Sequence, residues 1–132
     1  MASLQSTIVD GAIIHKEGTT STSGTTLTID YSTGTSFEFD MVSVTGGNNI
    51  DTFTVNNVTG DSYYKSFILQ VTQANQAPKQ NITWDASISA VKWPGGSGPT
   101  LTATNDKKDI YSFTSWDDGT TWYGKVIGQN YS

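Results

Sequence analysis

Residues 91–102 read VKWPGGSGPTLT, and their punctuation decides the fold class. A residue that precedes proline is biased towards extended backbone, so a strand is expected to end at Trp93. Gly95 and Gly96 can supply the positive φ of a tight turn. Pro99 pre-sets the entry into the next strand, and Leu101 returns to the core. The stretch reads as strand, stiff turn, strand. It is a plausible contact surface, not a catalytic loop.

The same punctuation recurs in both directions. Apolar residues alternate with a period near two at Leu27, Ile29 and Tyr31, at Phe37, Phe39 and Met41, at Phe53 and Val55, and at Phe67, Leu69 and Val71. Shorter runs follow at Ile82 and Trp84, Val91 and Trp93, Tyr111 and Phe113, and Trp122 to Ile127. The phase slips at Val42 and Val44, which predicts a β-bulge or a crossing between sheets. Turn signals separate the runs, including TGGNN at 45–49, NVTGDS at 57–62, TNDKKD at 104–109 and DDGTT at 117–121. Short strands at this spacing predict an all-β fold, a single antiparallel β-sandwich of jelly-roll type. No segment offers an amphipathic helix; ILQVTQANQAP at 68–78 is the nearest, and β-branching and Pro78 count against it.

Upstream, GTTSTSGTT at 18–26 is a low-complexity polar stretch that reads as linker or exposed loop. It divides the chain into an N-terminal arm and linker, 1–24, and a sandwich domain, 25–132. The arm carries an apolar piece, TIVDGAII at 7–14. That piece is either a small hairpin around Asp10-Gly11 or an arm that docks on a neighbouring subunit through Ile8, Val9, Ile13, Ile14 and His15.

Composition narrows the function. At 132 residues one domain is expected, burying roughly 68% of its unfolded surface. Charged residues are only 14% of the chain, the net charge is −5, and there is no arginine. Nucleic-acid binders need clustered cations and Arg for base edges, so neither nucleic acid nor an anionic membrane is an expected partner. With no cysteine, thiol chemistry and disulfides are excluded. The first residues lack the basic and apolar regions of a signal peptide, so synthesis in a cytoplasm is expected.

The catalytic inventory is thin. His15 is the only histidine and reads as a surface or interface residue. A glycosidase needs two carboxylates on one cleft; Glu38, Asp40 or Asp85 could in principle pair, and their spacing does not require it. DDG at 117–119 lacks the alternate ligands and distal Glu of a calcium loop, so a tight turn is expected. No catalytic residue, metal site or cofactor is assigned, and the chain is read as a non-enzyme. A self-formed Lys–Asn crosslink would require a buried Lys beside a buried Asn and a carboxylate. Among the tryptophans, Trp84 and Trp122 are expected in the core. Trp93 and Trp116 are open between core and a sugar-stacking surface.

The second half of the chain, 82–132, resembles a β domain of tailed-bacteriophage virion proteins, found at the ends of tail fibres. The matching elements are Thr83-Trp84, Val91 through Thr102, Ile110 to Phe113, and Asp118 through Gln129. Its structural signature falls here on Trp84, Trp122, Tyr123, Gly124 and Gly128. Earlier strands look similar from about residue 25. Asp85 stands where proline is commoner, and Asp-Asp-Gly replaces Asp-Gly-Gly. The resemblance implies a virion protein on the capsid exterior: a cement or decoration protein, trimeric, bound to the major capsid protein through the arm. The alternative it implies is a receptor-binding fibre tip that recognises host-surface glycan through Trp93, Pro94, Gly95, Gly96 and Trp116.

Overall fold

The structure is a computed structural model, and it describes residues 7–9, 12–14, 17–84 and 90–132. Ten strands carry the described chain: β1 (Thr7–Val9), β2 (Ala12–Ile14), β3 (Thr19–Ser23), β4 (Thr26–Asp30), β5 (Ser36–Asp40), β6 (Thr52–Asn56), β7 (Lys65–Thr72), β8 (Ala90–Lys92), β9 (Lys108–Ser115) and β10 (Thr121–Tyr131). Among the described residues the helical segments are short 3₁₀ turns, and no helix is long and apolar enough to cross a membrane.

The fold is all-β and sandwich-like. One sheet has the order β5-β7-β9-β10-β8, the other β3-β4-β6, and β1-β2 form a third small sheet. Alternation sends one face of each strand into the core: β7 buries Lys65, Phe67, Leu69 and Val71, and β9 buries Asp109, Tyr111, Phe113 and Ser115. Phe53 of β6 stacks on Phe113 of β9 with ring centroids 5.6 Å apart. Tyr31, just beyond β4, meets Phe67 and Trp122. These aromatic bridges join the sheets, as expected of a core poor in aliphatics.

The sheets are mixed, where wholly antiparallel pairing was expected. β5 runs parallel to β7, β4 to β6, and β8 to β10. From β4 to β7 the chain alternates between the two sheets, so strands two apart become neighbours in the same direction. Parallel neighbours need a crossover; for β4–β6 and β5–β7 the intervening strand of the opposite sheet supplies it, whereas for β8–β10 the intervening strand is β9 of the same sheet.

Two local expectations need correction. The polar run at 18–26 is not a linker: Thr19–Ser23 is an edge strand paired antiparallel with β4, Thr19 opposite Asp30 and Ser23 opposite Thr26. The 24/25 domain boundary therefore falls inside a hairpin turn. Gly18 N–H donates to Ser36 O at 2.7 Å, which ties the chain to β5 before β3 begins. An edge strand needs only backbone pairing and a half-wet face, which Ser and Thr supply without any apolar signal. Of the two alternatives for the phase slip after Phe39, the bulge is not found and the crossing between sheets is: a 3₁₀ turn at Met41–Ser43, where the Asp40 carboxylate accepts from Val42 N–H at 3.0 Å, ends β5 and leads the chain to β6 of the other sheet.

The stiff turn at 94–96 behaves as its residues require. Trp93 is extended (φ −118°, ψ 150°), Gly95 and Gly96 lie at φ 76° and 86°, and Gly96 N–H donates to Trp93 O at 3.0 Å. The second tight turn places Asp118 at φ 55° and Gly119 at φ 81°, joining β9 to β10.

Candidate functional site

Three aromatic side chains form a ladder on the outer face of the five-stranded sheet. Lys65 of β7 is registered with Ser115 of β9, and Thr114 of β9 with Tyr123 of β10. Lys65, Ser115 and Trp122 point inward and are buried, so their neighbours Tyr64, Trp116 and Tyr123 point to solvent. Tyr64 and Trp116 sit one step beyond the Lys65–Ser115 pair, and Tyr123 lies next to them across β10. Their ring centroids are 5.2 Å (Tyr64–Trp116) and 5.9 Å (Trp116–Tyr123) apart, both edge-to-face. Exposure is 56% for Tyr64, 65% for Trp116 and 51% for Tyr123. None of the three side chains hydrogen-bonds to another described residue.

A buried lysine fixes the two loops that carry this ladder. Lys65 is only 4% exposed, and its Nζ donates to the Asp61 carboxylate, to Asp118 Oδ1 at 3.1 Å and to Tyr63 O at 3.1 Å. Asp118 also accepts from Ser62 N–H at 2.9 Å, and Asp61 from Tyr63 N–H at 3.1 Å. Beside them, Asp117 Oδ1 accepts from Thr121 N–H at 2.8 Å and from the Ser115 hydroxyl at 2.9 Å. The Lys65 hydrogen bond, with help from Thr59, pulls the Asp61 carboxyl down to about 2. Burial works to lower the Lys65 ammonium, but the two carboxylates outweigh it and the net direction is upward. Both partners are therefore held charged. Lys65 has carboxylates at hand, but a crosslink needs a neutral amine, and this arrangement opposes one.

The tryptophan of the stiff turn is not on the surface. Trp93 is 9% exposed and packs edge-to-face against Trp84, Tyr111 and Phe113 at 5.3, 6.0 and 5.7 Å. β8 continues the inward phase of Val91, so the indole enters the core and leaves Pro94, Gly95 and Gly96 exposed without it. Trp93 is thus removed from the expected surface contact. Trp84 and Trp122 are buried, and Trp84 Nε1–H donates to Pro99 O at 2.9 Å. Tyr123, part of the expected structural signature, stands on the solvent face, because Trp122 and Gly124 on either side take the inward positions. Gly124 lies against the Trp93 ring, and Gly128 against Tyr131 at a register shift in β10. Ile8, Val9, Ile13 and Ile14 lie on β1 and β2, which pair antiparallel with Ile8 opposite Ile13. His15, Asp10, Gly11 and Asp85 lie outside the described residues.

Of the candidate acids, Glu38 accepts from Gln70 Nε2 at 3.1 Å on the outer face, and Asp40 caps its turn. With Gln70, Thr72 and Lys108 the two acids line an open cleft of about 370 Å³, but each carboxylate there is engaged, Glu38 by the Gln70 amide and Asp40 by its own turn. A cleft of about 310 Å³ does lie beside the stiff turn, lined by Asn81, Trp84, Trp93, Gly98 and Pro99 among others.

Sequence reasoning overlooked Asp109. It is buried and accepts from Thr102 N–H (2.7 Å), Thr102 Oγ1–H (2.6 Å), Asn130 N–H (2.9 Å), Tyr111 OH (3.0 Å) and Gln129 Nε2–H (3.1 Å). Burial works to raise this carboxyl, but the Thr102, Asn130 and Gln129 hydrogen bonds outweigh it, and the net direction is downward. Tyr111 is pushed up by burial and by the Asp109 charge. Every acceptor position is engaged, so the group clasps the segment after the stiff turn to β9 and β10. Its signal was present: Asp109 is in phase with Tyr111 and Phe113. No family model, curated protein or solved structure matches the chain.

Proposed function

We propose that the chain is a virion-surface protein of a tailed bacteriophage that works by adhesion, as a cement or decoration protein on the major capsid protein. The observation that supports this is the separate hairpin β1–β2. Among the described residues it pairs with no strand of the two larger sheets, and its sequence carries Ile8, Val9, Ile13 and Ile14. A lone two-stranded hairpin is marginal in water and gains stability by docking. The sandwich is then the rigid body that the hairpin fastens to the shell. Bound copies bridge neighbouring capsid subunits and stabilise the assembled form by mass action; a homotrimer matches a threefold site on such a shell.

Deleting residues 1–14 tests this and leaves Glu17, which bridges Ser36, in place. The truncated chain is expected to fold but to stop co-sedimenting with capsids assembled from major capsid protein. Equal co-sedimentation overturns the reading.

A second reading, a receptor-binding fibre tip that recognises host-surface glycan, is favoured by the exposed aromatic ladder. Copy number separates the two: dozens to hundreds per particle support decoration, and a single tail complement supports a tip.

A further inference from the structure

We propose that Tyr64, Trp116 and Tyr123 form a stacking platform for neutral pyranose units of a glycan chain. The proposal deepens the glycan-binding reading and rests on it, but it does not depend on whether the protein sits on head or tail.

The first argument is the chemistry of the face. A pyranose ring presents axial C–H groups on its flat sides and hydroxyls around its rim. Such a ligand needs aromatic faces for the first and scattered small hydrogen-bonding groups for the second. The ladder supplies both. Each of its three aromatic residues is more than half exposed, and Ser66, Thr114 and Tyr123 share one register row, with Lys92 of β8 opposite Tyr123. Ser66, Thr114 and Thr121 are half-buried on the same outward face, which places their hydroxyls beside the rings. The tyrosine hydroxyls and the Trp116 indole N–H keep their hydrogen-bonding capacity free of other described residues.

The second argument is size. At these exposures the three rings present on the order of 350 Å² of aromatic surface. A stable contact with a second copy needs roughly 800 Å² per partner. The ladder falls well short of that and is in the range of a patch that serves a small ligand.

Charge then selects among sugars. Asp61, Asp117 and Asp118 crowd the loops at the end of the ladder, and the Lys65 charge is consumed by two of them. The chain as a whole carries −5 and no arginine. Lys92 opposite Tyr123 and Lys125 two residues further along β10 are exposed on this face as point charges, but there is no guanidinium to pair a uronate, sulfate or sialate group bidentately, and beside three carboxylates the platform suits neutral residues.

The ladder is also pre-organised. Lys65 ties the Tyr63–Tyr64 segment to the Asp118 turn from inside the sheet, so the rings are set before a ligand arrives, which reduces the ordering cost of binding.

The test is retention of the full chain in affinity gels that contain neutral glucan, galactan or mannan, with alginate as the anionic arm, and sedimentation in parallel. Retention by at least one neutral polysaccharide and none by alginate is expected. Trp116→Ala should weaken retention at least tenfold, Tyr64→Ala and Tyr123→Ala severalfold each, and Trp116→Phe should restore part of it. Val42→Ser, at an exposed site off the sheet face, should change nothing. The proposal is overturned if no neutral polysaccharide retains the chain, if Trp116→Ala leaves retention intact, or if Trp116→Ala converts an oligomer into monomers. Copy number addresses the tip reading separately. A single tail complement without neutral-glycan retention sinks the platform alone; hundreds of copies with Trp116-dependent retention sink the tip alone.

Discussion

Gly124 of β10 lies flat against the indole of Trp93: a methyl group at Gly124 would fall 2.7–2.8 Å from three ring carbons. The glycine of one strand is thus the socket for the tryptophan that opens the stiff turn, and the two come from segments about thirty residues apart. Gly124→Ala should destabilise the fold by about 1–3 kcal/mol through overpacking. Urea denaturation measures it, and Trp93→Leu in the same chain should recover part of the loss. An additive double variant would mean that the two residues do not share this contact.

Acid should expose the carboxylates that the fold holds ionised. Asp61 has a folded pKa of about 2, below its unfolded value near 4. Its stabilisation is present in full above the unfolded value and fades as pH falls towards the folded one. Asp109 is shifted in the same direction. Melting temperature should therefore drop below about pH 4, and Asp61→Asn should flatten that drop. An unchanged acid limb in Asp61→Asn would remove Asp61 from the explanation. Lys65 has the opposite sign: its contribution is complete below the unfolded pKa and is lost as pH rises through the elevated folded value.

Asp109→Asn should be costly, because an amide turns one acceptor oxygen into a donor, which then faces either the Thr102 N–H bound by Oδ2 or the Asn130 N–H bound by Oδ1. A loss of roughly 2–3 kcal/mol is expected from the buried donors left unpaired, read from the urea midpoint. A loss below about 0.5 kcal/mol, the range of an ordinary surface change, would show that the clasp is dispensable.

The four tryptophans divide sharply by exposure. Trp84, Trp93 and Trp122 are buried and Trp116 is not. Acrylamide should quench one emitting population efficiently and the rest weakly. Trp116→Phe should abolish the efficient fraction; if that fraction persists, another tryptophan is exposed.

Much of this was legible along the chain because it is local. Strand alternation at Phe67, Leu69 and Val71 follows from the two-residue period. The turns at Gly95-Gly96 and Asp118-Gly119 follow from φ preferences. Where the signal depended on apolar residues, polar structure escaped: β3 is built from Thr and Ser, and Asp109 faces inward in phase with Tyr111. Trp122 was correctly expected in the core, and Tyr123 beside it must then face solvent, because two adjacent strand residues cannot both point inward.

By itself, then, the sequence determined the all-β class, the stiff turns and which strand positions are apolar, since each depends on neighbours a few residues apart. Only the tertiary structure decided that β5 and β7 run side by side, that Trp93 enters the core over Gly124, and that Tyr64, Trp116 and Tyr123 share a face. Those relations depend on strand order. Strand order is a matter of which distant segments bury each other best, and no local preference encodes it.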